Sequence, residues 1–117
     1  MSTNIASLPA KLNDIFLFVQ TSKPSIFCIT ETWLHNAIPN SMICPPDYNI
    51  HRNDIVHKRG GGVTIFLNKN CFSHFQIKTI DIEINSVETL ALHICLQSFS
   101  LLLLCIYRPP DTPATTD

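Results

Sequence analysis

Residues 90–107 form a run of eighteen residues with no Asp, Glu, Lys or Arg, and this run limits the fold more than any other part of the chain. Its length approaches that of a membrane-crossing helix. His93, Gln97, Ser98 and Ser100 interrupt it, however, and the polar cluster falls in the middle, where a span tolerates it least. A hairpin of two buried strands, 89–96 and 101–107, turning at 97–100, fits the pattern better. No membrane partner is therefore expected.

A buried hairpin must be covered by the rest of the chain. With 117 residues there is room for one domain, and 45% hydrophobic against 15% charged residues is the composition of a folded protein. The formal net charge of −1 announces neither a nucleic-acid nor a membrane surface, so any nucleic-acid contact has to be local. Five cysteines are scattered along the chain, and Cys28, Cys95 and Cys105 sit inside apolar runs, where a free thiol behaves as a small hydrophobe. That usage points to a reducing, intracellular compartment. The N-terminus shows no basic region followed by an apolar run, so a secretory signal is not expected.

Residues 7–20 read as a helix, with Leu8, Leu12, Ile15, Phe16 and Val19 at the spacing of one helical face, Pro9 in the first turn and Ser7 as cap. Lys23 and Pro24 end it. Residues 25–30 are short, apolar and β-branched, the signature of a strand buried on both faces. Pro39, Pro45 and Pro46, with Asn36 and Asn40, make 34–47 a loop with at most one helical turn. Further strands are predicted at 48–52 and 62–67, and within 72–84, where Ile77, Thr79 and Asp81 alternate with Lys78, Ile80 and Ile82. The predicted fold class is α/β, a mixed and mostly antiparallel sheet with an N-terminal helix, over a domain at 1–111 and a frayed tail at 112–117.

Four local features can carry chemistry, and each has a plainer alternative. Glu31 ends an apolar strand, where a carboxylate is either solvated or a hard oxygen ligand for Mg²⁺ or Mn²⁺. Lys58 and Arg59 precede Gly60, Gly61 and Gly62, which either let backbone and cations approach a phosphate or form a flexible turn. Tyr107 and Arg108 close the last strand before two prolines, and the guanidinium suits either phosphate or a solvated terminus. Asn4 lies just ahead of the helix, as a metal or phosphate contact or as a cap. The five histidines have no zinc spacing with cysteine, and no nucleophile elbow, phosphate loop or dinucleotide fingerprint is present.

The succession Asn-x-x-Ser-Leu, Lys-Pro-Ser-Ile-Phe-Cys-Ile-Thr-Glu-Thr-Trp-Leu, Ile-Pro-Asn-Ser with Pro-Asp-Tyr-Asn-Ile, Arg-Gly-Gly-Gly-Val-Thr-Ile-Phe and Ile-Tyr-Arg-Pro-Pro resembles the endonuclease domain of non-LTR retrotransposons. That domain is a branch of the endonuclease/exonuclease/phosphatase superfamily, similar to apurinic endonucleases and DNase I. The resemblance covers residues 4–111. It implies a four-layer α/β sandwich whose strand ends line one cleft, where a divalent metal, Mg²⁺ or Mn²⁺, supports phosphodiester hydrolysis. It further implies that Glu31 and Asn4 hold the metal, that Tyr107 and Asn4 serve catalysis, and that Arg108 and Arg59 contact DNA phosphate. The implied partner is DNA, nicked so that its 3′ end primes reverse transcription, which places an active protein in the nucleus. No small-molecule cofactor is implied.

The chain also departs from the family. Only Met1, Ser2 and Thr3 precede Asn4, so the first strand is expected to be a stub, and Ile5 and Ala6 stand where the branch usually has Ala and Arg. The Gly-Asp-x-Asn and Ser-Asp-His motifs, which supply catalytic aspartates and a histidine, are not found in it. An enzyme fragment inactive alone is the first expectation, a non-catalytic interaction module of the same fold the second, and a lipid or inositol phosphoesterase the third. Half of a two-sheet sandwich is also expected to expose an apolar face and to self-associate through it, with 101–107 as the segment most prone to aggregate.

Overall fold

Proline shapes the first element. The computed structural model describes residues 2–4, 7–55 and 60–109. Within the predicted helix, Pro9–Lys11 form a single 3-10 turn, Lys11 leaves helical geometry at φ −116 and ψ 15, and the α-helix proper, α1, runs Leu12–Ser22. Ser7 is therefore not its cap. Instead the Leu8 N–H donates to the Thr32 carbonyl at 2.8 Å, tying the start of this segment to the end of a strand. Lys23 stops the helix in the left-handed region (φ 46), its N–H bonded to the Val19 carbonyl, and Pro24 prevents continuation.

α1 connects two parallel strands, β1 (Ser2–Asn4) and β2 (Ile26–Thr30), as a crossover helix does. After β2 comes the proline-rich loop with its one helical turn, α2 (Asn40–Ile43), and then β3 (Tyr48–Asn53) and β4 (Val63–Asn68). The sheet order is β1-β2-β4-β3, with β4 antiparallel to both neighbours. A one-turn helix, α3 (Lys69–Phe72), occupies the start of the segment expected to be strand, because Asn68 caps it by accepting from the Asn70 N–H at 2.8 Å. The second sheet is a meander of β5 (Gln76–Ile80), β6 (Glu88–Leu96) and β7 (Phe99–Tyr107). Its hairpin closes through Gln97 and Ser98, with Gln97 at φ 48.

The two faces of β4 feed two cores. Phe66 joins Phe27, Ile29, Ile15, Val19 and Tyr48 beneath the helices, where the Phe27 and Phe66 rings stack at 4.4 Å. Val63, Ile65 and Leu67 meet Leu90, Leu92, Ile94 and Cys105 between the sheets. Each fully buried aliphatic side chain is worth about 1.5–3 kcal/mol, so this central strand is the main apolar investment of the chain. Helix layer, first sheet and second sheet make three layers among the described residues.

One expectation is corrected. β6 is buried as predicted, but β7 is not, since alternation turns Leu102 (53% exposed), Leu104 (38%) and Ile106 (51%) away from the first sheet. Their hydrophobicity reads identically in the sequence whether or not anything covers them. No described helix is long and apolar enough to cross a membrane. The expected domain end at 111 and the tail at 112–117 lie outside the described residues.

Candidate active site

The sheet registers collect one end of each strand. Thr30 at the C-terminal end of β2 pairs with Asn4 on one side and Val63 on the other, and Val63 pairs with Asn53 at the end of β3. In the facing sheet Glu88 starts β6 opposite Tyr107, which ends β7. Two straps bring these ends together: the Asn53 side-chain amide donates to the Thr89 carbonyl at 2.6 Å, and the Gly62 N–H donates to Glu88 Oε1 at 2.9 Å.

Past Thr30 the backbone is strained. Glu31 (φ 58) and Trp33 (φ 60) both occupy the left-handed region, which costs roughly 1–3 kcal/mol per non-glycine residue. Several bonds hold them there. The Trp33 N–H donates to the Gly61 carbonyl at 2.8 Å, the Thr32 N–H reaches the Gly62 carbonyl at 3.4 Å, and the fully buried Thr32 carries the bond from Leu8. The half-buried Glu31 carboxylate accepts at Oε2 from Trp33 Nε1 at 3.0 Å.

The glycine turn is packed, not loose. A Cβ on Gly62 would lie 2.5 Å from Thr32 Oγ1, and one on Gly61 would lie 2.7 Å from Glu88 Oε2. All three have positive φ, so the segment is a close-packed hinge between the sheets, and the Gly62 N–H is committed to Glu88.

Glu88 was missed from the sequence, although its signal is the one that singled out Glu31, a carboxylate at the end of an apolar strand. Reading β6 from Thr89 left it in the loop. It is 8% exposed, and of Glu31, Asp54 and Glu88 it is the one enclosed by the glycine turn. Asp54 is paired with Arg52 at 2.7 Å. Arg52 also donates to the His35 and Ile38 carbonyls and to Asn40 Oδ1, which ties down the loop that follows Trp33. Glu31 is half-buried, as Asp54 is, but it accepts from a neutral indole and not from a guanidinium, and its carboxylate has the donor chemistry that suits a hard divalent cation.

The structure thus gathers Glu31, Tyr107 and the Asn4 backbone at one end, with Tyr107 half-buried against the inter-sheet core and Arg108 exposed just beyond it. The side chain of Asn4, and all of Lys58 and Arg59, lie outside the described residues. No group of three His, Cys, Asp or Glu side chains that could hold a metal occurs among the described residues. A cavity of about 460 Å³, lined by Phe16, Lys23, Pro45, Tyr48 and Asn68, lies at the opposite end of the first sheet.

The same architecture is found in solved AP endonucleases. The chain is similar in fold to the AP endonuclease LMAP of Leishmania major, with a TM-score of 0.72 and 18% identity over 91% of this chain. It is similar also to an AP endonuclease of Archaeoglobus fulgidus, with a TM-score of 0.57 and 16% identity over 86%. It spans 38% of the length of each. No family model and no curated protein matches the sequence. The fold is accordingly a DNase I-like α/β sandwich, represented in part.

Proposed function

We propose that this chain supplies one wall of the active site of a divalent-metal-dependent DNA endonuclease of the retrotransposon type. The observation that supports this most is the convergence of Glu31, Glu88 and Tyr107 at one end of two facing sheets, in a fold shared with AP endonucleases. In this reading Glu31 holds Mg²⁺ or Mn²⁺, oriented by the Trp33 indole N–H, with Asn4 at the neighbouring strand end as a further ligand. The metal, when bound, polarises the phosphoryl oxygen and stabilises the leaving group. Tyr107 positions the scissile phosphate, and Arg108 and Arg59 hold the DNA backbone.

In this reading the aspartates and the histidine that serve acid–base catalysis in the family come from a further polypeptide segment, and this chain by itself is expected not to cleave DNA. The retrotransposon assignment rests on the motif succession around Glu31, Gly60 and Arg108, and with it the nick serves to prime reverse transcription. A second reading, a non-catalytic interaction module, is favoured by the open apolar face of β7.

The deciding experiment is plasmid nicking in Mg²⁺. The 117-residue chain alone should leave supercoiled DNA intact. Fused to the C-terminal part of a DNase I-like endonuclease it should nick, and Glu31→Ala should lower that rate by about 100-fold or more. An undiminished rate in the Glu31→Ala fusion removes Glu31 from the site.

A further inference from the structure

The cavity of about 460 Å³ opens where α1 ends, at the Asn68 end of β4, so the length of that strand separates it from the site at Glu31. Its volume lies within the range of about 300–1,000 Å³ usual for small-molecule sites. Phe16 and Val19 of α1 form one apolar wall, and Pro45 and Tyr48 form the other, with Val19, Pro45 and Tyr48 buried. The deeper polar groups are already committed. The Tyr48 hydroxyl donates to the Pro24 carbonyl and accepts from Asn68 Nδ2 at 3.4 Å, and Asn68 Oδ1 accepts from the Asn70 N–H at 2.8 Å. The exposed side chains of Gln20, Lys23, Asp47 and Asn70 make the polar edge.

Lys23 and Asp47 are pinned at the backbone and uncommitted at the side chain. Both occupy the left-handed region, at φ 46 and φ 70. The Lys23 N–H donates to the Val19 carbonyl and the Asp47 carbonyl accepts from the Lys69 N–H, each at 2.8 Å. Among the described residues, the ammonium and the carboxylate form no ion pair with each other or with any other group. A cation alone at such a cavity would select an anion, and a carboxylate alone would select a cation. Opposite charges held apart over one apolar cavity repel each of these in turn and complement a molecule that carries both signs.

We propose that this cavity binds a zwitterion with an apolar body, an α-amino acid bearing an aromatic or branched side chain. Lys23 takes the carboxylate, Asp47 takes the ammonium, and the side chain lies against Phe16, Val19 and Pro45. Because both charged residues stand on backbone that is already hydrogen-bonded, little ordering of the main chain accompanies binding. The site stands whether or not the chain belongs to an endonuclease.

The test is isothermal titration calorimetry of the full chain with L-phenylalanine, for which a dissociation constant of about 1 mM or below is expected. Hydrocinnamate, which lacks the ammonium, and phenethylamine, which lacks the carboxylate, should each bind roughly tenfold more weakly. Glycine, which lacks the apolar body, should give no measurable heat. Lys23→Gln should weaken L-phenylalanine by the same factor without weakening phenethylamine, and Asp47→Asn should do so without weakening hydrocinnamate. No binding of L-phenylalanine up to about 10 mM overturns the proposal, and so does equal affinity of the wild-type chain for the three aromatic probes. Those probes decide the matter even where a variant does not fold. In folded variants, an equal loss for all three probes would make Lys23 and Asp47 merely structural, and is equally fatal.

Discussion

Three successive glycines make very different demands on their neighbours. A Cβ on Gly60 would touch the Trp33 indole at 3.1 Å, a half-exposed ring able to shift, whereas Gly62 faces the fully buried Thr32 hydroxyl and has φ 100. Gly62→Ala is therefore expected to destabilise by about 2 kcal/mol or more and Gly60→Ala by clearly less, measured by urea unfolding. Equal losses would show that φ, and not close approach, sets the cost. Burial also acts on His51, which β3 turns toward the second sheet and whose Nε2 has no partner among the described residues. Desolvation lowers its pKa from 6.5, so the unfolded chain takes up the proton first. The resulting stability is complete above about pH 6.5 and is lost as pH falls from there through the lower folded value. His51→Gln should thus lose less thermal stability than wild type between pH 7.5 and 5.5, by a few degrees. Glu31 was legible because charge at the end of an apolar strand is unusual, but His51 was not, since an isolated histidine carries no sign of which face its strand will bury.

β7 is where local pattern and tertiary setting part company. Hydropathy located both strands of the hairpin to within two residues, and the polar residues 97–100 located its turn. Sheet order was not legible, because pairing β2 with β4 rather than β3 depends on contacts distant in sequence. That an apolar face of this hairpin lies open was expected only from the family resemblance, since hydropathy alone does not say what covers a strand. An uncovered row of Leu102, Leu104 and Ile106 on a nine-residue edge strand of uncharged residues offers both apolar area and unpaired backbone to another chain. We expect the wild-type chain to show a concentration-dependent mass in light scattering, and Leu104→Lys with Ile106→Lys to remove that dependence. Because both side chains point outward, the double variant should change unfolding stability by less than about 1 kcal/mol. Association that survives both lysines would exclude this face as its cause.

At the level of the molecule, the two cores have a common wall. Ile65 and Phe66 are adjacent in β4, both fully buried, yet Ile65 packs against the second sheet and Phe66 against the helices. Melting either core strips one face of β4, and a strand with no partner on one face loses much of what holds it against the other. The glycine turn adds to this coupling, since the Gly62 N–H bonds to Glu88 of the second sheet while the Gly61 carbonyl accepts from the Trp33 N–H and the Gly62 carbonyl from the Thr32 N–H, just past β2 of the first. Two layers joined through one strand and one hinge should unfold together, as single domains of this size generally do. Phe66→Ala should cost about 3–5 kcal/mol and Ile65→Ala about 2–5. Each should move one and the same transition, followed in parallel by Trp33 fluorescence, which reports the site end, and by far-UV circular dichroism, which reports the whole. Separate midpoints for the two probes in either variant would mean that the helix-side and inter-sheet cores are independent units. Coincident midpoints would mean that the strained backbone at Glu31 is held by the stability of the entire chain, not by its own loop.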